Sequence, residues 1–168
     1  MQQKNRTVRE IEALYRQHGP ALVLFATAIM GETERARDAV QHVFLKLLQD
    51  DKLQGAFDKK AYLFACVRNA VLNEVRMERR NAVLDPEAAW FDPPQRDYAA
   101  ELNLRRALAC LPEDQRQVVV LHIWGDLTFQ QISELLNISA NTAASRHRYA
   151  LAKLREAMCP KEDSCANP

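Results

Sequence analysis

The chain has 168 residues, of which 48% are hydrophobic and 27% charged, a composition that supplies a folded core and excludes general disorder. Its formal net charge is only +1, so the overall balance neither indicates nor excludes a nucleic-acid partner. Glycine is scarce, at four residues, and apolar residues recur at helical spacing without strand-like alternation. The sequence therefore predicts an all-α protein made of one domain or two small ones.

Three helices are predicted in the first half of the chain. The first covers Val8 to Met30, with a break or kink at Gly19–Pro20, because proline removes a helical hydrogen bond. The second covers Glu34 to Gln49, and the third runs from Lys60 to about Arg80. The second helix has the clearest apolar face, which consists of Ala36, Ala39, Val40, Val43, Phe44, Leu47 and Leu48.

The third predicted helix carries a polar stripe opposite its apolar face. The stripe contains Tyr62, Asn69, Asn73, Arg76 and Arg80, and residues 59–80 hold six basic against two acidic side chains, a net charge of +4. Asparagine can hydrogen-bond base edges, tyrosine can stack on an unpaired base, and arginine can anchor phosphates. This mixture suits single-stranded DNA better than duplex DNA, although an ordinary solvated face explains the helix alone equally well.

A segment without helical periodicity separates the two halves. Residues 82–98 contain three prolines, and residues 85–101 carry a net charge of −4, so we interpret this segment as an interdomain linker. Its adjacent Trp90 and Phe91 indicate either docking onto another surface or a short helix packed on its own domain. The helical pattern resumes from Ala99 to Cys110, and again from Gln115 to Trp124, with Gly125 at the C′ position.

The segment from Thr128 onward predicts a helix-turn-helix. Thr128 and Gln131 form a capping box that begins one helix, Asn137 tolerates the left-handed conformation that ends it, and Ser139 can cap the next. The second helix is thin, basic and polar, which is the kind of helix that the DNA major groove admits. The sequence therefore predicts that this half of the chain reads duplex DNA.

The chain as a whole resembles the extracytoplasmic-function (ECF) class of the sigma-70 family. These are small bacterial initiation factors that retain only the second and fourth conserved regions of the family. The matching pieces occur in the family's order: RARDAVQHVF at Arg35, AYLFACVRNAVLNEVR at Ala61, LPEDQRQV at Leu111, TFQQISELLNIS at Thr128, SANTAASR at Ser139 and KLRE at Lys153. The resemblance implies a region 2-like domain at 8–81, a linker at 82–98, a region 4-like domain at 99–158 and a tail at 159–168.

The resemblance also implies roles for particular residues. Contact with the clamp coiled coil of the polymerase β′ subunit falls to Asp38, Val40, Gln41, His42 and Phe44, of which Val40 and Phe44 also belong to the apolar face. The residues that the resemblance assigns to opening and holding the −10 element are Lys60, Tyr62, Asn69, Asn73, Arg76, Arg79 and Arg80. Reading the −35 element falls to Ser139, Asn141, Thr142, Ala144, Ser145, Arg146, Arg148 and Tyr149.

Several positions depart from the family's usual residues. The family often has tryptophan at Tyr62, aspartate at Asn73 and glutamate at His42. In the second half it often has lysine at Ala144, leucine at His147 and arginine at Tyr149, and all three positions lie on the helix expected to read DNA. The sequence therefore predicts an unaltered fold and a different −35 preference.

The expected partners are core RNA polymerase (β′ clamp and β flap), promoter DNA and an anti-sigma factor that the sequence cannot identify. No catalytic, cofactor or metal motif is present in the sequence, so we expect a binding protein and no enzyme, with no cofactor. Without a signal-peptide pattern or a long apolar segment, the expected location is the cytoplasm.

Cys66 and Cys110 are predicted to be buried, and Cys159 and Cys165 to lie in a solvated tail. A free-standing helix-turn-helix regulator is the competing hypothesis.

Overall fold

A computed structural model describes residues 2–49, 53, 55–81 and 106–158. Within these ranges every regular element is a helix, which confirms the predicted all-α fold. Six helices are described over their full lengths, namely α1 (Gln2–Met30), α2 (Thr33–Gln49), α3 (Lys59–Asn81), α4 (Glu113–Ile123), α5 (Phe129–Leu136) and α6 (Ala140–Met158). None of the helices in the described ranges is both long enough and apolar enough to cross a membrane.

The helix α1 continues through Pro20, so the predicted break at Gly19–Pro20 is wrong. Pro20 is exposed, while Ile11, Leu22 and Phe25 on either side of it are buried in the core that α1 shares with α2 and α3. Because both halves of the helix are packed on the same partners, tertiary packing offsets the loss of one backbone hydrogen bond.

The first three helices enclose the core of the N-terminal half. Phe25 of α1 meets Phe64 of α3 edge to face, with ring centroids 5.7 Å apart, and Tyr15 meets Phe44 in the same manner at 4.9 Å. The predicted apolar face of α2 is buried at six of its seven positions. The exception is Leu48, which is 38% exposed because it lies at the margin of the face, so its assignment to the core is corrected.

The last three helices form a second packed unit. Its buried side chains include Val118 to Leu121 of α4, Ile132 of α5, and Ala143 and Ala150 of α6. Residues 106–109, just before α4, are also helical, and Cys110 at their end is exposed. The predicted burial of Cys110 is therefore wrong: apolar periodicity does not extend to the last residue before a turn.

The two halves are packed against each other through α1 with α4 and α3 with α5. Arg116 of α4 donates from Nη1 to the carbonyl oxygen of Ala28 at 3.3 Å, which bridges the halves. Gly125 occupies the predicted C′ position, but its reason is close approach: a Cβ there would lie 2.6 Å from Leu121 O and 3.0 Å from Phe64 Cζ. Glycine thus lets α3 of one half reach the backbone of the other.

Candidate nucleic-acid interface

The helix-turn-helix is built by local hydrogen bonds that the sequence predicted. The Thr128 side chain accepts from Gln131 N at 3.2 Å, and Gln131 Oε1 accepts from Thr128 N at 2.8 Å, which completes the capping box of α5. Asn137 ends α5 in the left-handed region, at φ 56° and ψ 51°. Ser139 Oγ then accepts from Thr142 N at 3.0 Å and begins α6. The relative direction of α5 and α6 is therefore set by side chains of the turn.

The helix α6 separates an apolar from a polar face. Ala143, Ala150 and Leu154 are buried against α4 and α5. The side chains that the sequence assigned to DNA reading are exposed at Ser139, Asn141, Arg148 and Tyr149, and half-buried at Thr142, Ala144, Ser145 and Arg146. The guanidinium of Arg148 lies 5.3 Å from the centroid of the Tyr149 ring, a cation–π arrangement. All eight thus keep some solvent exposure at the start and in the first turns of a single helix.

Three aromatic rings join the three helices behind this surface. His122 of α4 stacks on Phe129 of α5 with centroids 4.4 Å apart, and His147 of α6 meets His122 edge-on at 4.7 Å and Phe129 at 5.5 Å. The Nδ1 of His122 lies 2.8 Å from the carbonyl oxygen of Leu127. His147 Nε2 is buried without a hydrogen-bond partner among the described residues. His147, a departure from the family's usual leucine, therefore packs beneath the surface that the sequence assigned to DNA reading.

We predict that this half of the protein loses stability in mild acid through His147. Burial first, and then the charge of nearby His122, lower the pKa of His147 below its ordinary value of about 6.5. Because of this lowered pKa, the folded state binds fewer protons than the unfolded state in mild acid. The stability that depends on a neutral His147 is therefore fully present above the ordinary pKa and is lost as the pH falls below it. The melting temperature of His147→Leu should exceed that of the wild type by more at pH 5.5 than at pH 7.5.

The comparison must be made between the two proteins at each pH. Burial and the charge of Lys60 also lower the pKa of His18. Both proteins therefore share the same loss of stability in acid from the other half. His42→Leu is the matched control, since it makes the same substitution at an exposed site of α2, away from the rings of His122, Phe129 and His147. A melting-temperature difference between His147→Leu and the wild type that stays constant with pH would contradict the assignment.

Three residues of the polar stripe of α3 are exposed in the described part of the chain. Asn69, Asn73 and Arg76 are exposed, and Tyr62 is half-buried beside the core. The side chains of Arg79 and Arg80 lie outside the described residues. Two amides and a guanidinium therefore point away from the core along one face of the helix, while Leu63, Phe64, Val67 and Val71 hold the opposite face in the core.

The acidic side chains of α3 are engaged away from this stripe. Arg35 of α2 binds both Glu74, at 3.0 Å between Nη2 and Oε1, and Glu78. Burial alone would lower the pKa of Arg35, but the hydrogen bonds and charges of these two carboxylates raise it overall. Because Arg35 offsets one of the two negative charges of Glu74 and Glu78, less negative charge opposes the basic residues of α3.

The loop before α3 holds a residue that sequence reasoning missed. Phe57 is fully exposed, next to a helix start that Asp58 caps by accepting from Ala61 N at 3.0 Å through Oδ1. An aromatic side chain within a short polar loop near Gly55 was the available signal. An exposed phenyl ring at the end of a basic, amide-rich helix is chemically suited to stack on an unpaired base.

The starts of α3 and α5 meet across the two halves. Lys60 Nζ donates to Asp126 O at 2.6 Å and lies 3.2 Å from Asp126 Oδ2, so this predicted DNA-binding residue has a protein partner in this arrangement. Gln131 Nε2 donates to Asp58 Oδ2 at 2.6 Å. The capping groups of both helices are thereby connected. For Lys60 to bind DNA, its contact with Asp126 must be replaced by a contact with the DNA.

The face of α2 assigned to a protein partner divides into two sets. Asp38, Gln41 and His42 are exposed, whereas Val40 is 0% and Phe44 6% exposed. Val40 and Phe44 are core residues and are unavailable for contact while the domain is folded, which corrects their assignment to the binding surface. No group of three or more histidine, cysteine or acidic side chains within the described ranges is arranged to hold a metal ion. The predicted linker at 82–98, residues 99–105 and the predicted tail with Cys159 and Cys165 lie outside the described residues.

Comparison with known proteins assigns a family to each half. Residues 14–81 match the family described as Sigma-70 region 2, and residues 101–154 match the family described as Sigma-70, region 4. The ECF RNA polymerase sigma factor SigL of Mycobacterium tuberculosis is 30% identical over 155 residues, with 86% of each chain covered. The ECF RNA polymerase sigma factor EcfG of Rhodopseudomonas palustris is 29% identical over 141 residues, covering 80% of this chain and 77% of EcfG.

Solved structures show the same fold. The sigma factor RpoE of Bartonella quintana, in complex with the anti-sigma factor NepR, aligns with a TM-score of 0.68 at 23% identity and covers 89% of this chain and 97% of RpoE. CnrH in complex with the cytosolic domain of CnrY aligns with a TM-score of 0.58 at 20% identity, covering 94% and 92% of the two chains. The two helical halves thus have counterparts in the same order within single known chains.

Proposed function

Since the chain belongs to the ECF sigma factors of the sigma-70 family, which act with RNA polymerase in promoter-specific initiation of transcription, we propose that it reads the −35 element through α6 and opens the −10 element through α3. One observation carries the proposal. A complete helix-turn-helix and an exposed asparagine–arginine stripe occur in one chain, on helices of different halves. In this role the protein binds promoter DNA and positions core polymerase on it, and it contributes no catalytic group.

The −35 proposal depends on the capped start of α6. The first turn of a helix presents free N–H groups and the positive end of the helix dipole, which attract a DNA phosphate. Asn141, Ser145 and Arg146 follow on the accessible surface and can reach base edges in the major groove. Ala144 and Tyr149 replace basic residues that the family often has, so apolar contact with a thymine methyl group takes the place of two charged contacts.

The −10 proposal depends on the exposed surface of α3 and the loop before it. A base leaves the duplex at a cost of a few kcal/mol, which a binding surface must offset through stacking and hydrogen bonds. Phe57 offers a fully exposed ring, and Asn69 and Asn73 offer amides on the accessible face. Arg76, one helical turn further along, supplies the positive charge that a phosphate backbone requires.

The protein partners follow from the same proposal. The exposed Asp38, Gln41 and His42 of α2 form the surface that we assign to the β′ clamp of core polymerase, with the β flap as the expected partner of the second half. An anti-sigma factor is a further expected partner, because RpoE of Bartonella quintana was solved with NepR. Work on core polymerase requires a cytoplasmic protein.

A binding comparison separates this proposal from a stand-alone regulator. We expect the free protein to bind promoter DNA weakly at physiological salt, because each half contributes few contacts and only polymerase fixes the spacing of the halves. Adding core polymerase should raise the apparent affinity for promoters selected from a randomised −35/−10 library by about 100-fold or more. The measurement is fluorescence anisotropy of labelled promoter DNA with and without core.

The surface of α2 provides the variants for the same experiment. Asp38→Ala with Gln41→Ala should weaken binding to core polymerase, whereas Lys46→Ala, also in α2 but outside the proposed surface, should not. Tight, sequence-specific DNA binding by the free protein, unaffected by core polymerase, would instead identify a regulator that acts alone.

A further inference from the structure

Arg146 of α6 is held by a carboxylate from outside the helix-turn-helix. Asp114, in the first turn of α4, forms an ion pair with Arg146, with 3.1 Å between Oδ2 and Nε. Its other oxygen, Oδ1, accepts from Gln115 N at 2.9 Å. Because both oxygens of the carboxylate have partners, the backbone at the start of α4 sets the orientation of the group that holds Arg146.

This contact leaves the outer edge of the Arg146 guanidinium available. The ion pair with Asp114 involves Nε, and no other partner of this guanidinium is found within the described ranges. The two terminal nitrogens form a planar fork, which matches the O6 and N7 acceptors of guanine in the major groove. Arg146 is half-buried, and together with Asp114, Arg68 of α3 and Leu136 of α5 it lines an open cleft of about 370 Å³.

The neighbouring arginine of α6 lacks such a support. Arg148 is exposed and packs over the Tyr149 ring, and no carboxylate partner is found for it in the described part of the chain. A long side chain loses rotamer freedom when it binds, and holding it in place beforehand removes part of that loss. A partly exposed ion pair contributes little to folding, so the contact of Asp114 with Arg146 matters for orientation rather than for stability.

We propose that Asp114 is a positioning residue that orients Arg146 to read one guanine of the −35 element. The inference rests on the proposed function, because it assumes that α6 lies in the major groove of that element. It extends the DNA-reading site to α4, a helix that the sequence treated as part of the scaffold. It also assigns base reading to Arg146 and phosphate binding to Arg148.

The test uses the protein with core polymerase and a promoter library randomised across the −35 element. Bound promoters are sequenced for the wild type, Asp114→Ala, Arg146→Ala and the double variant. Glu113→Ala is the matched control, since it removes a neighbouring acid from the same helical turn, where Glu113 binds Gln117 and does not contact Arg146. Melting temperatures verify that the Asp114 and Glu113 variants are folded alike.

The wild type should prefer guanine at one position by roughly 5- to 150-fold, the range of a good bidentate contact. Asp114→Ala should reduce that preference by about fivefold or more at this position alone, and Arg146→Ala should remove it. The double variant should match Arg146→Ala, and Glu113→Ala should match the wild type. A general loss of stability would instead weaken binding at all positions equally.

Two other outcomes contradict different statements. If the wild type shows a base preference that Asp114→Ala retains in full, the positioning role of Asp114 is wrong and the proposed function stands. If the wild type with core polymerase shows no base preference at any −35 position, the proposed function is wrong, and the inference is overturned with it.

Discussion

Replacing Phe64 with alanine should lower the free energy of unfolding by about 3–5 kcal/mol, the usual cost of removing a buried phenyl ring. Phe64 is 0% exposed and packs edge to face on Phe25 in the core of the first half. Its ring edge also adjoins Gly125 of the second half. The cavity left by the ring therefore lies at the point where the two halves meet. Urea unfolding followed by circular dichroism measures the change.

Leu45→Ala is the control for this substitution. Leu45 is an apolar residue of α2 with 56% of its surface exposed, so its truncation should change stability by no more than about 0.5 kcal/mol. A cost below about 1 kcal/mol for Phe64→Ala would mean that the site collapses around the missing ring, and would contradict the tight packing of α3 between the halves.

Replacing Phe57 with alanine should reduce initiation on duplex promoters by about tenfold without a change in stability. Stacking of one base on an aromatic ring is worth about 1–3 kcal/mol, and 1.4 kcal/mol corresponds to a factor of ten. Because Phe57 is fully exposed, its removal leaves no cavity in the core. Single-round transcription with core polymerase measures the effect, and permanganate footprinting of unpaired thymines reports the opening of the −10 region.

Met77→Ala is the matched control for Phe57→Ala. Met77 is an exposed apolar residue of α3, 54% exposed, that lies outside the asparagine–arginine stripe. It should initiate as the wild type does. Initiation by Phe57→Ala at the wild-type rate, with equal permanganate reactivity, would show that the ring does not capture a base.

Local features of this chain could be predicted from the sequence, because their causes are local. The capping box at Thr128 and the left-handed end at Asn137 depend on side chains within a few residues of the backbone groups that they satisfy. The apolar face of α2 followed from helical periodicity for the same reason. The exposed Asn69 and Asn73 of α3 could be identified as the reverse of a buried face.

Features that depend on distant partners could not be predicted. The prediction of a break at Pro20 was wrong because packing of α1 on α2 and α3 outweighs the local cost of proline. The contacts of Lys60 with Asp126 and of Asp58 with Gln131 join residues more than 60 positions apart, and no sequence pattern marks such pairs. The support of Arg146 by Asp114 is of this kind, since it joins the start of α4 to α6.

Run-off transcription with core RNA polymerase tests promoter reading by α3 and α6 most directly. The template is a promoter selected by the complex, compared with versions in which only the −35 or only the −10 element is scrambled. We expect a transcript from a single start site that requires both core polymerase and this protein, and a loss of about tenfold or more on scrambling either element. Transcription no greater than with core alone, or unaffected by both scrambled elements, would contradict promoter reading by α3 and α6.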